Sequence, residues 1–442
     1  MRPLIAWLAP LTVLALTACG FDSAGGSAEE STSASESSGA TPATATSGDN
    51  PTTADPTDPT AADTSGASHS ASDGTTSPTA ATTDTDPNPT TGASLATTGD
   101  DSTGAGTSGQ GTTGDDTTTT DDTTTGDDTG GAVLEPACLF EPFLNKGALP
   151  IDYAQFDPVI GSHCKGTNHQ DITDIERVVF LGDSVTVGTP PSPGDQVYRA
   201  ELADVLVDRF GLTPPNGLWK QYNPIDGVSV VQDSGDFSSC SKWGARTDDF
   251  LAPGPQIDDC FPPDQFDKRT LVVFTMGGND LAAIAKDGAN GKPYDQVVQD
   301  AEKALKLMRD AVQWFVDDPN KFPNGVFVVF ANIYEFTDGT GDLMSCPAAG
   351  LGGFDKPWED PEQLKQLVLW INEQVMDIAV STQTDMIFML ENFCGHGFKA
   401  GDKAGPCYRG PNSANYFDLS CIHPTPAGHD VIKDLFTAVI DE

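Results

Sequence analysis

Val178-Val179-Phe180-Leu181-Gly182-Asp183-Ser184-Val185-Thr186-Val187-Gly188 is the most telling segment of this 442-residue chain. Its four leading apolar residues predict a short strand buried on both faces. They run into Gly-Asp-Ser, a sharp turn that leaves one serine hydroxyl at the strand's carboxyl end. In open α/β sheets, ligands and chemistry collect at that edge. Asp-Ser after a strand is also ordinary helix N-cap material. The meaning of the turn therefore depends on what stands elsewhere in the chain.

Strand and helix patterns alternate from there onward, which predicts a parallel sheet with helices on both faces. Residues 198–210 place Tyr198, Leu202, Val205, Leu206 and Phe210 along one helical side. Residues 227–231 read as a short strand and 271–276 as a strong buried one. A helix follows over 296–315, then a strand over 326–330. Residues 362–380 carry Leu364, Leu367, Ile371 and Val375 on one helical stripe. The last strand is expected at 386–390 and a closing helix at 427–440. Two long Gly/Pro-rich stretches, 338–361 and 392–417, interrupt the pattern. Both carry cysteines and are expected to be ordered loops over the rim of the site.

The N-terminal region is of another kind. Arg2 supplies a positive charge, and residues 4–16 form an apolar run too short for the roughly 20 residues of a spanning helix. That run ends in Leu16-Thr17-Ala18-Cys19-Gly20, which resembles the lipobox of bacterial lipoproteins. The resemblance implies cleavage before Cys19, acylation there, and a place in the cell envelope, at the outer membrane or cell surface. Residues 1–18 are then a signal peptide. Residues 19–132 are rich in Ser, Thr, Gly and Asp and hold no Lys or Arg. Such a segment cannot bury enough apolar surface to offset the entropy of ordering, and is expected to be a disordered acidic tether. Residues 133–442 have globular composition and suffice for one domain.

With 23 basic and 65 acidic residues the formal charge is −42, which argues against nucleic acid or anionic lipid as a partner. Nine cysteines less Cys19 leave eight, an even number that suggests disulfides in an exported protein. Cys138–Cys164 and Cys240–Cys260 are plausible pairs as near neighbours, while Cys346, Cys394, Cys407 and Cys421 can pair in three ways. No C-x-x-C pair occurs, so no metal site and no cofactor are expected.

Three further segments carry chemistry. Gly277-Gly278-Asn279-Asp280 follows the strong strand. Cys240-Ser241-Lys242-Trp243-Gly244-Ala245-Arg246-Thr247 lies before it. Cys421-Ile422-His423-Pro424-Thr425-Pro426-Ala427-Gly428-His429 opens the last helix. With the Gly-Asp-Ser turn, these blocks resemble those of the SGNH (GDSL-type) hydrolases. The resemblance covers residues 177–430 and is loose only around Gly244. It implies a three-layer α/β/α sandwich of flavodoxin-like type and a metal-free ester hydrolase working through an acyl-enzyme. Ser184 is then the nucleophile and His423 the general base, while the Ser184 and Gly244 N–H groups and the Asn279 amide receive the oxyanion.

Among the six histidines, His396 in a long loop is the second candidate base, and His429 is expected to be a packing or capping residue. One departure from the family pattern stands out. The acid that commonly lies three residues before the histidine is replaced by Ser420. Asp418, five residues before, is the named orienting acid. A backbone carbonyl and a plain Ser-His dyad remain alternatives. The expected substrate is an ester: an acyl lipid, an acetylated glycan or a small ester. Two rival readings are a carbohydrate O-acetylesterase and a catalytically silent surface binding module that keeps the fold.

Overall fold

In the computed structural model, which describes residues 138–139, 142–145 and 149–442, the quoted segment forms the middle of the sheet. The expected signal peptide, Cys19, the tether over 19–132 and the domain's start at 133 lie outside the described residues. Strand β1 spans Arg177–Gly182 and is buried throughout. It pairs in parallel with β2 (Phe237–Ser239) on one side and β3 (Thr270–Thr275) on the other. Beyond β3 lie β4 (Val326–Ala331) and β5 (Asp385–Ile387), also parallel. A two-residue antiparallel strand, Asp233–Ser234, caps the β2 edge. The parallel order β2-β1-β3-β4-β5 is that of a flavodoxin-like sheet. Val179, Val272 and Val328 stand in one row across it.

Helices cover both faces, which completes the expected three layers. The principal ones are α1 (Ser184–Val187), α2 (Tyr198–Phe210), α3 (Gly278–Ala289), α4 (Tyr294–Val316), α5 (Pro361–Thr382) and α6 (Pro426–Asp441). Leu202 and Leu206 of α2 and Ile432 and Phe436 of α6 pack with Val178, Phe180 and Val273. Met308, Val312 and Phe315 of α4 and Val375 and Ala379 of α5 pack with Val179, Val272 and Phe330 on the opposite face. Strand residues thus alternate between two cores, which is why each strand reads as an unbroken apolar run.

Two expectations need correction. The strand expected over 227–231 shrinks to Val228–Ser229, which forms a separate hairpin with Tyr222–Asn223. The last strand ends at Ile387, and a short helix, Met389–Phe393, occupies the rest of the expected stretch. Helix α3 begins inside Gly277-Gly278-Asn279-Asp280, where two glycines and an Asn-Asp pair read as a turn and leave no helical pattern before Leu281.

Cys138–Cys164 and Cys240–Cys260 form as expected, and the open set resolves as Cys346–Cys421 and Cys394–Cys407. Cys346–Cys421 ties the 338–361 loop to the segment just before His423. The second long loop is pinned from within the first. Asp338 accepts the backbone N–H groups of Gly395, Gly397 and Lys399 at 2.8, 2.8 and 2.7 Å.

Candidate active site

The sheet order reverses between β1 and β3, so the carboxyl ends of these two strands diverge into a crevice. Gly182 ends β1 with φ +125°, and a Cβ there would lie 2.2 Å from the Thr275 carbonyl oxygen. Only glycine permits so close an approach. Asp183 then caps α1, accepting from the Val185 N–H at 2.9 Å and from the Thr275 hydroxyl at 3.3 Å. Burial pushes its carboxyl up to about 7. Ser184 is the first residue of α1, 6 % exposed.

His423, from the far end of the chain, meets it. The His423 Nε2 atom lies 2.9 Å from Ser184 Oγ. Thr425 caps α6 by accepting from the Gly428 N–H, and Pro426 occupies its first position, so the helix start fixes where His423 emerges. On the other side of the ring, Nδ1 lies 2.8 Å from Ser420 Oγ. The Ser420 hydroxyl donates to Asp418 Oδ1, and the Ser420 N–H donates to the same oxygen at 2.7 Å. Asp418 therefore reaches the imidazole only through Ser420, not directly. Burial holds His423 below the ordinary imidazole value, and the Asp418 charge offsets part of that.

Asn279, the second residue of α3, donates from Nδ2 to the Ala245 carbonyl at 2.9 Å. That bond uses one of its two amide hydrogens. Gly244 stands next to Ala245 with φ +73°, and a Cβ there would meet nothing within 4 Å. The backbone N–H groups of Ser184 and Gly244 donate to no group among the described residues. Asp280 holds the adjoining loop to α3 by accepting from the Thr247 N–H and hydroxyl at 3.1 and 3.2 Å. Burial pushes this carboxyl up to about 6.

Ser184, Asn279 and His423 share the wall of a cleft open to solvent, whereas Gly244 is not among its lining residues. Most of the lining is apolar: Val185, Met276, Leu281, Ala282, Ile333, Phe354, Val368 and Met389 among others. The 338–361 loop contributes to this lining, while the 392–417 loop does not. Glu335, on the cleft wall, accepts from the Thr337 and Gly339 N–H groups and is pushed up to about 7 by burial. Its oxygens are occupied in holding that turn.

The other candidate base lies elsewhere. His396 stacks on Tyr416 with ring centroids 3.8 Å apart and contacts the Ala414 carbonyl. His429 is fully buried against Tyr198, and neither of its ring nitrogens finds a hydrogen-bond partner. It packs rather than caps. Among the described residues, no group of three or more His, Cys, Asp or Glu side chains could hold a metal ion.

The model of the GDSL-like lipase/acylhydrolase family matches residues 180–431, more than half of the chain. No curated protein matches the sequence. Among solved structures, the chain is similar to an extracellular lipase from Streptomyces rimosus, at 17% identity and a TM-score of 0.37. That likeness covers 60% of this chain and 99% of the other. It is also similar to a two-domain esterase active on acetylated mannans, at 14% identity and a TM-score of 0.32, covering 60% of this chain and 48% of the other.

Proposed function

This chain belongs to the GDSL-like lipase/acylhydrolase family and is an ester hydrolase of the SGNH type; on that premise we propose that it cleaves carboxylic esters bearing an extended apolar acyl chain. Ser184 Oγ attacks the ester carbonyl carbon and passes its proton to His423 Nε2. The negative charge that develops on the carbonyl oxygen is met by the Ser184 and Gly244 N–H groups and the free Asn279 amide hydrogen. The tetrahedral species then expels the alcohol, which takes the proton from Nε2 and leaves an acyl group on Ser184. A water molecule gives a proton to Nε2 and attacks the acyl carbon. Ser184 departs with that proton, and the carboxylic acid is released.

The observation that carries this reading is the 2.9 Å contact between Ser184 and His423 on the wall of a cleft lined mainly by aliphatic and aromatic side chains. An acetyl group would leave most of that apolar lining uncovered. Each methylene buried there is worth about 0.8 kcal/mol, roughly fourfold in kcat/KM. A series of p-nitrophenyl esters from acetate to palmitate is expected to show kcat/KM climbing with chain length and then levelling as the cleft fills. Ala282→Trp, which narrows the cleft from α3, should depress the long-chain esters and spare the acetate. A parent that prefers acetate and loses activity with every added methylene would replace this reading by that of an O-acetylesterase.

The enzyme is further proposed to act from the cell envelope, tethered through lipidated Cys19. The Leu16-Thr17-Ala18-Cys19-Gly20 run and the acidic Ser/Thr-rich segment behind it support this. Several acyl chains give stable anchoring where one is marginal. Cys19→Ser is expected to move the protein from the membrane fraction to the soluble fraction; retention in the membrane pellet would contradict anchoring at this residue.

A further inference from the structure

Ser420 occupies the place where the family commonly has an acid, yet it is fully built into the site. We infer that Ser420 is a positioning residue that transmits the orienting effect of Asp418 to His423, so that the working unit is the four-member chain Ser184–His423–Ser420–Asp418. This rests on the reading of Ser184 and His423 as nucleophile and base.

The donor and acceptor capacities of these groups favour one placement of the hydrogens. A carboxylate only accepts, and a hydroxyl has one hydrogen and two lone pairs. Ser420 must spend its hydrogen on Asp418 Oδ1. Its two lone pairs then face the His423 Nδ1–H at 2.8 Å and the His423 backbone N–H at 3.3 Å. Every hydrogen-bonding position of this hydroxyl is taken. Nδ1 therefore carries the imidazole's hydrogen, and Nε2 presents its lone pair to Ser184. The other tautomer would require the hydroxyl to turn from the carboxylate and donate to Nδ1. Selecting the productive tautomer is the main task of a triad's third member.

The surrounding loop holds this arrangement in place. The Asp418 N–H donates to the His423 carbonyl at 2.9 Å, and Phe417 bridges to Pro424. Cys421 sits between them at φ +69° and is tied to Cys346. The Tyr334 hydroxyl donates to the Ile422 carbonyl at 2.6 Å. The turn therefore places Ser420 under the imidazole while keeping the carboxylate one hydroxyl further away. The Asp418 charge acts on the imidazolium from a greater distance than in a direct contact, so its electrostatic share is smaller and the orienting share dominates.

The test is a pair of near-isosteric variants. Ser420→Thr keeps the hydroxyl, and Ser420→Val removes it at similar shape. On the parent's best p-nitrophenyl ester, Ser420→Thr should retain most of kcat. Ser420→Val should lose about 10- to 100-fold in kcat with KM within about twofold, the size of loss seen when the partner orienting a metal-bound histidine through its other ring nitrogen is removed. Ser420→Ala should repeat that loss where valine is not accommodated, with melting temperatures reporting the fold. Asp418→Asn should slow the parent enzyme but add little in the Ser420→Val background, because the connection is already cut. Equal kcat in the Thr and Val variants, or an undiminished Asp418→Asn effect in the Val background, overturns the inference. Those outcomes would occur in an enzyme whose hydrolysis still needs Ser184. Hydrolysis unaffected by Ser184→Ala would overturn the underlying hydrolase reading instead.

Discussion

Ser184→Ala and His423→Ala are each expected to lower kcat by at least about 10⁴, and the double variant to be scarcely worse than either. The two side chains act as one device. The hydroxyl is a poor nucleophile until the imidazole takes its proton, and the imidazole has no other role in the first step. Their 2.9 Å contact joins positions 239 residues apart in the chain, so neither can be replaced by a sequence neighbour. The residual rate comes from the oxyanion donors and the cleft. Steady-state kinetics on a long-chain p-nitrophenyl ester, with melting curves for each variant, would read this directly. A loss below tenfold in Ser184→Ala would end the nucleophile assignment. The pH dependence follows from the same geometry. Burial holds His423 below its ordinary value of 6.5. The base is therefore neutral at pH 7, and kcat/KM should fall only as the pH drops beneath that value and the ring takes a proton.

What the sequence made legible has a physical pattern. β1, β3 and β4 are buried on both faces, so they appear as uninterrupted apolar runs, and the serine that follows β1 is placed by that alone. His423 was legible because a proline-flanked helix start leaves a local trace. β2 left no such trace. Its buried Ser238 and Ser239 are satisfied by hydrogen bonds, Ser238 to Arg177 and Asp233, Ser239 to Ser229 and Ser241. Polar residues compensated in this way look like loop to any hydrophobic pattern. The Ser420 bridge was hidden for another reason. It depends on a turn through Cys421 at positive φ, which brings positions 418, 420 and 423 together in an order that spacing alone does not disclose. The cleft was illegible because its lining comes from separate segments, with Met276, Ile333, Phe354 and Val368 each contributing from a different part of the chain.

Asn279→Ala is expected to cost about 10²–10³ in kcat with little change in KM, the size of effect seen when one oxyanion donor is lost. The bond to the Ala245 carbonyl at 2.9 Å fixes the amide plane, so the remaining hydrogen needs no reorganisation when charge develops on the substrate. The side chain also stands in the first turn of α3, where the helix dipole favours negative charge. Loss of the amide leaves the Ala245 carbonyl without its partner, a stability cost of about 1–3 kcal/mol that thermal melting separates from the kinetic effect. Asn279→Asp should be worse still, since it keeps the shape but sets an acceptor and a negative charge against the oxyanion. The two substitutions together separate donor chemistry from packing: the Asp variant keeps the volume and loses the rate. A properly folded Asn279→Asp enzyme with kcat within about fivefold of the parent would remove Asn279 from the oxyanion site and leave the backbone N–H groups of Ser184 and Gly244 as its donors.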